Sequence, residues 1–435
     1  MILPLNTKQY KAVTSNEEET FYIAGVGSGK SFVLGAFVYK EACLKGSVGL
    51  LTAPTNDTLN NSTMPALKEV WARLGLIEGT HYIIGSMPPP EWGVPNYTNR
   101  NSKILTWRWG AYTILDGSDN FNKHRGLEVD YVGADELRDI RPDAWEMYRS
   151  RMRGKAKKAL NMKYKMLACT TPPDNPKTVE RLINDKVEVI RGTSFDNFKN
   201  LPIGYIEGLK ARYDEQTYKR EVLGELIYMG GTFAYYCFTP ENIVKQDFDR
   251  TAKTVMVWDF NASAKKPMST GLVQEINGAW YLTKEFAYKN SNTDEQCRKV
   301  LEYLNEQNFT GILEVTGDYS GHRRESNASR SDYAIIEHYF RNFAEYKLRT
   351  RPTLSVKDRI AALNAQFRNM LGERGLFIDS RCEKYIADLQ QTRWKESGVE
   401  LDDKDPEHTH LSDSLSYWAY NYYPIGKKEV SVSQS

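Results

Sequence analysis

Residues 21–31, FYIAGVGSGKS, constrain this chain more than any other stretch. The apolar run Phe21, Tyr22 and Ile23 reads as a buried strand, and it breaks into a turn holding Gly25, Gly27 and Gly29 before Lys30 and Ser31. From Phe32 onward, apolar or small residues at Leu34, Ala36, Phe37 and Val38 suit a helix. Strand, glycine-rich turn, Lys-Ser and helix is the order of a phosphate-cradling loop, in which backbone N–H groups close on phosphate oxygens at a helix N-terminus. In that reading Ala24, Gly25, Gly27, Ser28 and Gly29 form the cradle, Lys30 reaches the β- and γ-phosphates of ATP, and Ser31 puts its hydroxyl on Mg²⁺. Ala24 stands where the strict pattern has glycine, a change that the turn tolerates. Upstream, the Gln9 amide offers both a donor and an acceptor, which suits either an adenine edge or a solvated helix face.

The next informative stretch is LEVDYVGADEL, from Leu127. Val129, Tyr131 and Val132 form an apolar strand that delivers Asp135 and Glu136 at its end. Downstream of a phosphate loop, such a pair has a division of labour: Asp135 holds the Mg²⁺ shell and Glu136 polarises the attacking water. A third strand, YKMLACTTPP from Tyr164, ends in Thr170 and Thr171, whose hydroxyls could sense a γ-phosphate. Val48 opens another strand, VGLLTAPTNDTL, and ILTWRWGAYTILDG from Ile104 alternates like a hairpin turning at Gly110. Strands tipped by polar residues suit a largely parallel sheet with ligand at its carboxyl edge.

Arg125 lies just before the acid-bearing strand and is followed by a glycine, which makes it the first choice for an arginine neutralising transition-state charge. Arg149, Arg151, Arg153, Lys155, Lys157 and Lys158 follow as a basic run, suited either to DNA phosphates or to a solvated helix face.

Composition enters mainly by exclusion. The 435 residues are 40% hydrophobic and 26% charged, a soluble chain long enough for two domains. No apolar run approaches the roughly 20 residues of a membrane span, and the N-terminus lacks the pattern of a signal peptide. Five scattered cysteines without CxxC spacing point to neither a zinc site nor a disulfide framework. A net charge of +2 decides nothing about nucleic acid, because local patches govern that contact.

Beyond a helical stretch from Ile203 to Glu225, a new domain opens with TVMVWDFNAS, an apolar strand delivering Asp259. Two strands joined at Asn277-Gly278 follow, then a helix near residues 293–307 and a strand delivering Asp318. Near the C-terminus, HTHLSDSLSYWAYNYY is helical in pattern, with Leu411, Leu415 and Trp418 on one side and Asp413 beside them. Strand-Asp, hairpin, strand-Asp and late helix-Asp is the order in which an RNase H-like fold gathers carboxylates around two divalent metals for phosphodiester cleavage. His410 shares a helix face with Asp413 and reads as a metal ligand, a proton shuttle or a surface histidine. Glu285 is a weaker metal candidate, Asp402, Asp403, Asp405 and Glu407 read as a solvated acidic run, and GHRRESNASRSDY from Gly321 as a loop over a DNA backbone.

With AGVGSGKS (24–31), LLTAPTNDTL (50–59), RGLEVDYVGADE (125–136), TTPP (170–173), WDFNAS (258–263), GDYSGHRRE (317–325) and HLSDSLSYWAY (410–420), the chain resembles the large terminase subunits of tailed double-stranded DNA phages. The resemblance implies an α/β chain with a P-loop ATPase domain at 1–200, a helical linker at 201–245 and an RNase H-like nuclease domain at 246–435. It implies ATP-driven translocation of viral DNA through the portal into a procapsid, and cleavage of concatemeric DNA with Mg²⁺ or Mn²⁺. By position, Lys30 and Ser31 bind nucleotide and metal, Glu136 is the catalytic acid, and Asp259, Asp318 and Asp413 hold the nuclease metals, with His410 beside them. Arg125 would act on a neighbouring subunit's ATP in a homo-oligomeric ring on the portal. The portal protein, the small terminase subunit and viral DNA are the implied partners, and the host cytoplasm, with transient docking on the procapsid but no place in the mature virion, is the implied setting. The first nuclease motif departs from the family in having Asn261 and Lys265-Lys266 after Asp259, with no second acid close by. Two other classes compete: a helicase or repair translocase, for which a second set of nucleotide-facing motifs is missing, and a small-molecule kinase, in which the later aspartates would be structural.

Overall fold

In a computed structural model of the chain, the described residues are 4–92, 103–173, 180, 182–183, 187–228, 230–260, 268–288, 291–323, 330–343, 345–352, 355–402 and 409–425. The chain divides into two units, one made of residues 1–205 and 219–228 and the other of 206–218 and 229–435. The stretch 201–245, expected as a helical linker, is shared between them: helices Tyr205–Arg212 and Glu215–Glu221 form, and residues 219–228 return to the first unit. Residues 233–238, FAYYCF, are mostly turn, and Ala234, Tyr235 and Phe238 are buried in the core of the second unit.

The first unit is built on eight strands: β1 (Glu19–Ala24), β2 (Val48–Thr52), β3 (Tyr82–Ile84), β4 (Lys103–Trp107), β5 (Tyr112–Leu115), β6 (Tyr131–Asp135), β7 (Lys165–Thr170) and β8 (Val187–Gly192). They lie in the order β3-β4-β5-β2-β6-β7-β1-β8. From β5 to β8 every pairing is parallel, and only the edge hairpins of β3, β4 and β5 run antiparallel. The expected turn at Gly110 is present, at φ +90°. β1 is buried at every residue, as a parallel strand covered on both faces must be. Its side chains alternate: Tyr22 and Ala24 pack with Leu34, Val38 and Trp71, while Phe21 and Ile23 pack with Trp145 and Tyr148.

Within the basic run after β6, Arg149 and Lys157 depart from both readings, while Arg153, Lys155 and Lys158 are exposed. Lys157 is 2% exposed and its Nζ lies 2.5 Å from Glu41 Oε2. Arg149 donates from Nε and Nη2 to the two oxygens of Glu19, at 2.8 and 2.7 Å. A buried charge persists only when paired, so Lys157 braces the core, and the half-buried Arg149 spends its guanidinium on Glu19 and not on DNA.

The second unit holds β9 (Ile243–Val244), β10 (Lys253–Asp259), β11 (Met268–Ile276), β12 (Ala279–Tyr288), β13 (Leu313–Gly317), β14 (Lys347–Leu348) and β15 (Leu376–Asp379). The sheet order is β14-β13-β10-β11-β12-β15-β9. β10, β11 and β12 form an antiparallel meander whose second turn uses Asn277 and Gly278 at φ +50° and +81°. Helix Thr293–Glu306 then carries the chain back so that β13 lies parallel to β10, with β14 parallel beyond it. A three-strand meander whose first strand is flanked by two later parallel strands is the RNase H-like arrangement. Val255 and Val257 face one core layer and Met256 and Trp258 the other, so β10 is the spine of this unit.

Candidate functional sites

In the first unit the phosphate loop joins β1 to helix Lys30–Ala42. Gly29 caps that helix in the left-handed region, at φ +83°, where a Cβ would be strained. The loop is held from three directions. Gln9 Nε2 donates to the Ser28 carbonyl at 2.9 Å. After β8, Ser194 Oγ donates to the Val26 carbonyl and Asn197 Nδ2 to that of Gly27, at 2.6 and 2.7 Å. Finally, Val26 N donates to the Glu221 carbonyl at 2.6 Å. The Gln9 Oε1 also accepts from Asn6 N at 3.0 Å. Gln9 is buried, so in this structure its amide braces the loop and is not a solvated helix residue.

Lys30 Nζ donates to the carbonyls of Ala24 and Gly25, at 3.1 and 3.0 Å. Burial holds its ammonium below the ordinary lysine value, against the opposing pull of Glu136, Glu221 and Asp135. Lys30 thus sits in the electrostatic field of both acids of the pair. Ser31 lies half-buried in the first helical turn.

Strand β1 does not adjoin β6: β7 runs between them. The carboxyl ends of the three strands therefore bring the loop, Thr170-Thr171 and Asp135-Glu136 together along one edge. Asp135 is buried, and burial followed by the Glu136 charge raises its carboxyl above the usual range. Its Oδ2 accepts from Thr63 Oγ1 at 2.8 Å, a hydroxyl delivered by the π-helical turn Leu59–Thr63. Glu136 sits in the left-handed region at φ +50°, which costs a non-glycine residue about 1–3 kcal/mol and re-aims the carboxylate off the strand direction. Thr171 Oγ1 donates to Glu136 Oε2 at 3.4 Å, and Thr170 Oγ1 accepts from Arg138 N at 3.1 Å. Arg138 Nε lies 3.6 Å from Glu136 Oε2, and its Nη1 lies 3.7 Å from Glu221. Thr63, Arg138 and Glu221 escaped sequence reading, because no spacing rule links them to the loop. Arg125 is exposed, in the 3-10 turn Phe121–Gly126, and its carbonyl accepts from Arg151 Nη1.

In the second unit, β10 and β13 run parallel with Trp258 opposite Gly317, so Asp259 and Asp318 emerge side by side at adjacent strand ends. Asp318 also caps the turn Tyr319–His322, accepting from Ser320 N at 3.1 Å. Helix His410–Tyr422 contributes the remaining groups. His410 is buried, which removes the surface reading, and its Nδ1 stands 3.4 Å from Asp259 Oδ2. The carboxyl of Asp413 is pushed up to about 7, by burial first and by the Asp259 charge, while Arg359 pulls the other way. That helix is positioned by Asp388, 1% exposed, which accepts from the backbone N–H of Thr409, Leu411 and Ser412 at 2.7, 2.8 and 2.9 Å. Glu285 does not join this group. It accepts from Lys384 N and Tyr385 N at the start of helix Glu383–Gln391, the work of a helix cap. Residues 261–267, 324–329 and 403–408 lie outside the described residues, and with them Asn261, Lys265, Lys266, Asp403, Asp405, Glu407 and the middle of the basic loop. Among the described residues no three His, Cys, Asp or Glu side chains stand as a preformed metal cluster.

These two units define a class: a P-loop NTPase fold followed by an RNase H-like fold in one chain. Residues 21–235 match the family model described as the terminase large subunit, T4likevirus-type, N-terminal, and through this match the chain is identified as a large terminase subunit. The fold agrees along nearly the whole length. The large terminase of a thermophilic bacteriophage is similar at a TM-score of 0.65 and 16% identity, covering 96% of this chain and 99% of that one. Structures of that phage protein in complex with ADP and with ATP-gamma-S are similar at TM-scores of 0.63 and 0.62, with the same identity and coverage. No curated protein sequence matches the chain. Among the described residues no helix is long and apolar enough to cross a membrane.

Proposed function

We propose that this chain is the motor and nuclease of viral genome packaging, translocating double-stranded DNA through the portal into a procapsid and cutting concatemeric DNA to start and end the process. The observation that carries the proposal is the presence, in one chain matched to the large terminases, of a braced phosphate loop facing an acid pair and of aspartates gathered at RNase H-like strand ends. In the first unit, backbone N–H groups of residues 25–31 and the Lys30 ammonium would hold the ATP phosphates, with Ser31 and Asp135 around Mg²⁺. Glu136 would orient and deprotonate the attacking water. Thr171, hydrogen-bonded to Glu136, gives the γ-phosphate a route by which its loss reaches β7. The ADP and ATP-gamma-S bound by the thermophilic phage's terminase support the nucleotide assignment.

In the second unit the donor set fits a hard divalent cation, being all carboxylate oxygen: Asp259 and Asp318 side by side at adjacent strand ends, and Asp413 brought into the field of Asp259. These residues would hold Mg²⁺ or Mn²⁺, which supplies an activated water and charge stabilisation for phosphodiester hydrolysis. His410, beside Asp259, would orient that carboxylate. The partners in this reading are viral DNA, the portal protein and the small terminase subunit, and the working form is a homo-oligomeric ring on the portal. The setting is the host cytoplasm, with the motor absent from the finished virion. Packaging of DNA into procapsids bearing the matched portal tests the whole reading. ATP-dependent uptake with wild type and none with Lys30→Ala supports it, and uptake by neither overturns it.

A further inference from the structure

We propose that Arg359 is a resident counter-ion of the aspartate cluster, occupying one face of Asp413 and weakening the hold of that carboxylate on a divalent cation. The inference rests on the nuclease reading and adds a control on the metal that the reading does not contain. Arg359 is 4% exposed, in the first turn of helix Val356–Phe367, which packs against helix His410–Tyr422. Its Nη1 lies 3.3 Å from Asp413 Oδ1 and donates to Ser416 Oγ at 2.6 Å. The guanidinium stacks 4.0 Å above the Tyr417 ring. These contacts fix a cation inside the acidic site, where the field of Asp259 also reaches it.

Two features separate this arrangement from an ordinary buried ion pair. The contact to Asp413 is a single one and not the bidentate fork that guanidinium and carboxylate form when pairing is the whole purpose. Moreover, Arg359 Nε is buried and has no hydrogen-bond partner among the described residues. A buried donor left unpaired is costly, so the side chain is held by what surrounds it more than by its own satisfaction. Ser416 and Tyr417, one turn beyond Asp413 on the same helix, are the groups that hold it. Because arginine stays protonated at every working pH, this competition with a metal cannot be switched off by titration. It falls only when the guanidinium moves.

The test is calorimetric titration of the full chain with Mn²⁺ alone. Arg359→Gln is expected to bind Mn²⁺ about ten-fold more tightly than wild type, since one opposing charge has left a poorly screened site. Arg359→Lys, which keeps the charge, should stay near wild type. Ser416→Ala keeps Arg359 but removes the hydroxyl that pins it, and should tighten Mn²⁺ about two- to three-fold, roughly the share of one hydrogen bond. This variant decides the matter if Arg359→Gln does not fold. Unchanged or weaker Mn²⁺ binding in both Arg359→Gln and Ser416→Ala, or Arg359→Lys matching Arg359→Gln, overturns the proposal. Asp318→Asn separates the two levels: if it leaves Mn²⁺ binding intact, the nuclease metal site itself is misplaced.

Discussion

The backbone N–H of Val26 donates to the carbonyl of Glu221 at 2.6 Å, fastening the phosphate loop to the short segment with which the chain returns to its first unit. The loop is thus braced by residues that lie far from it in sequence. The same segment places the Glu221 carboxylate in the field of Lys30 and beside Arg138. Gly25 makes this possible: a Cβ there would fall 2.5 Å from the Val222 carbonyl oxygen.

Gly25→Ala should therefore push the Val222 segment off the loop, costing about 1–3 kcal/mol as overpacking does, and should weaken ATP binding. Urea unfolding together with nucleotide titration checks this. Wild-type values for both would show that the segment yields freely.

Glu136→Gln should lose ATP turnover by about a hundred-fold or more, the scale of removing a general base, while still binding ATP. Lys30→Ala should lose binding as well. Neither should alter cleavage of linear plasmid DNA in Mn²⁺, because the aspartates belong to the other unit. Asp318→Ala should do the reverse. Steady-state hydrolysis and gel assays of all three variants decide it.

Arg125 is exposed, as a residue that acts on a neighbouring subunit must be. Arg125→Ala should lose ATPase activity and regain part of it when mixed with Glu136→Gln subunits. If mixing restores nothing, the arginine acts on its own subunit's nucleotide.

Asp388 accepts three backbone amides at the start of the helix that carries His410 and Asp413. Asp388→Ala leaves them unpaired, and the expected loss is about 2 kcal/mol, within the range for deleting a helix cap or a buried acceptor. Because the helix start shifts with it, Mn²⁺ binding should also weaken. A thermal melt and Mn²⁺ titration of the same preparation check both.

Asp116 gives the pH prediction. Burial opposes its ionisation, but hydrogen bonds from His124, Lys123 and Asn56 prevail and its carboxyl falls to about 2, below the ordinary 3.8. A carboxylate depressed in the folded state contributes stability above the unfolded value and loses it as pH falls through the folded one. The contribution is thus present above about pH 4 and fades between pH 4 and 2. Asp116→Asn should be less stable than wild type at pH 6, with the gap closing toward pH 2 in urea titrations.

Much of this architecture was legible in the residues themselves. The phosphate loop, the strand ending at Asp135-Glu136, the hairpin turns at Gly110 and Asn277-Gly278, and the helix from His410 all announce themselves through local rules: apolar periodicity, glycine at positive φ, and acids at strand ends. Such signals lie within a few residues of one another, so a linear reading recovers them. Arg149 and Lys157 were misread because local composition sees only charge. Their partners Glu19 and Glu41 lie more than a hundred residues away, and burial is a property of the packed chain.

The sequence alone determined the kinds of chemistry that the chain carries, since those depend on residue type and short-range order. Tertiary structure alone decided how the phosphate loop is held. Only in the fold does Gln9 turn its amide to Ser28 and Glu221 reach the loop from the segment beyond β8. The physical reason is that hydrogen bonds and ion pairs act over a few ångströms of space whatever the distance along the chain.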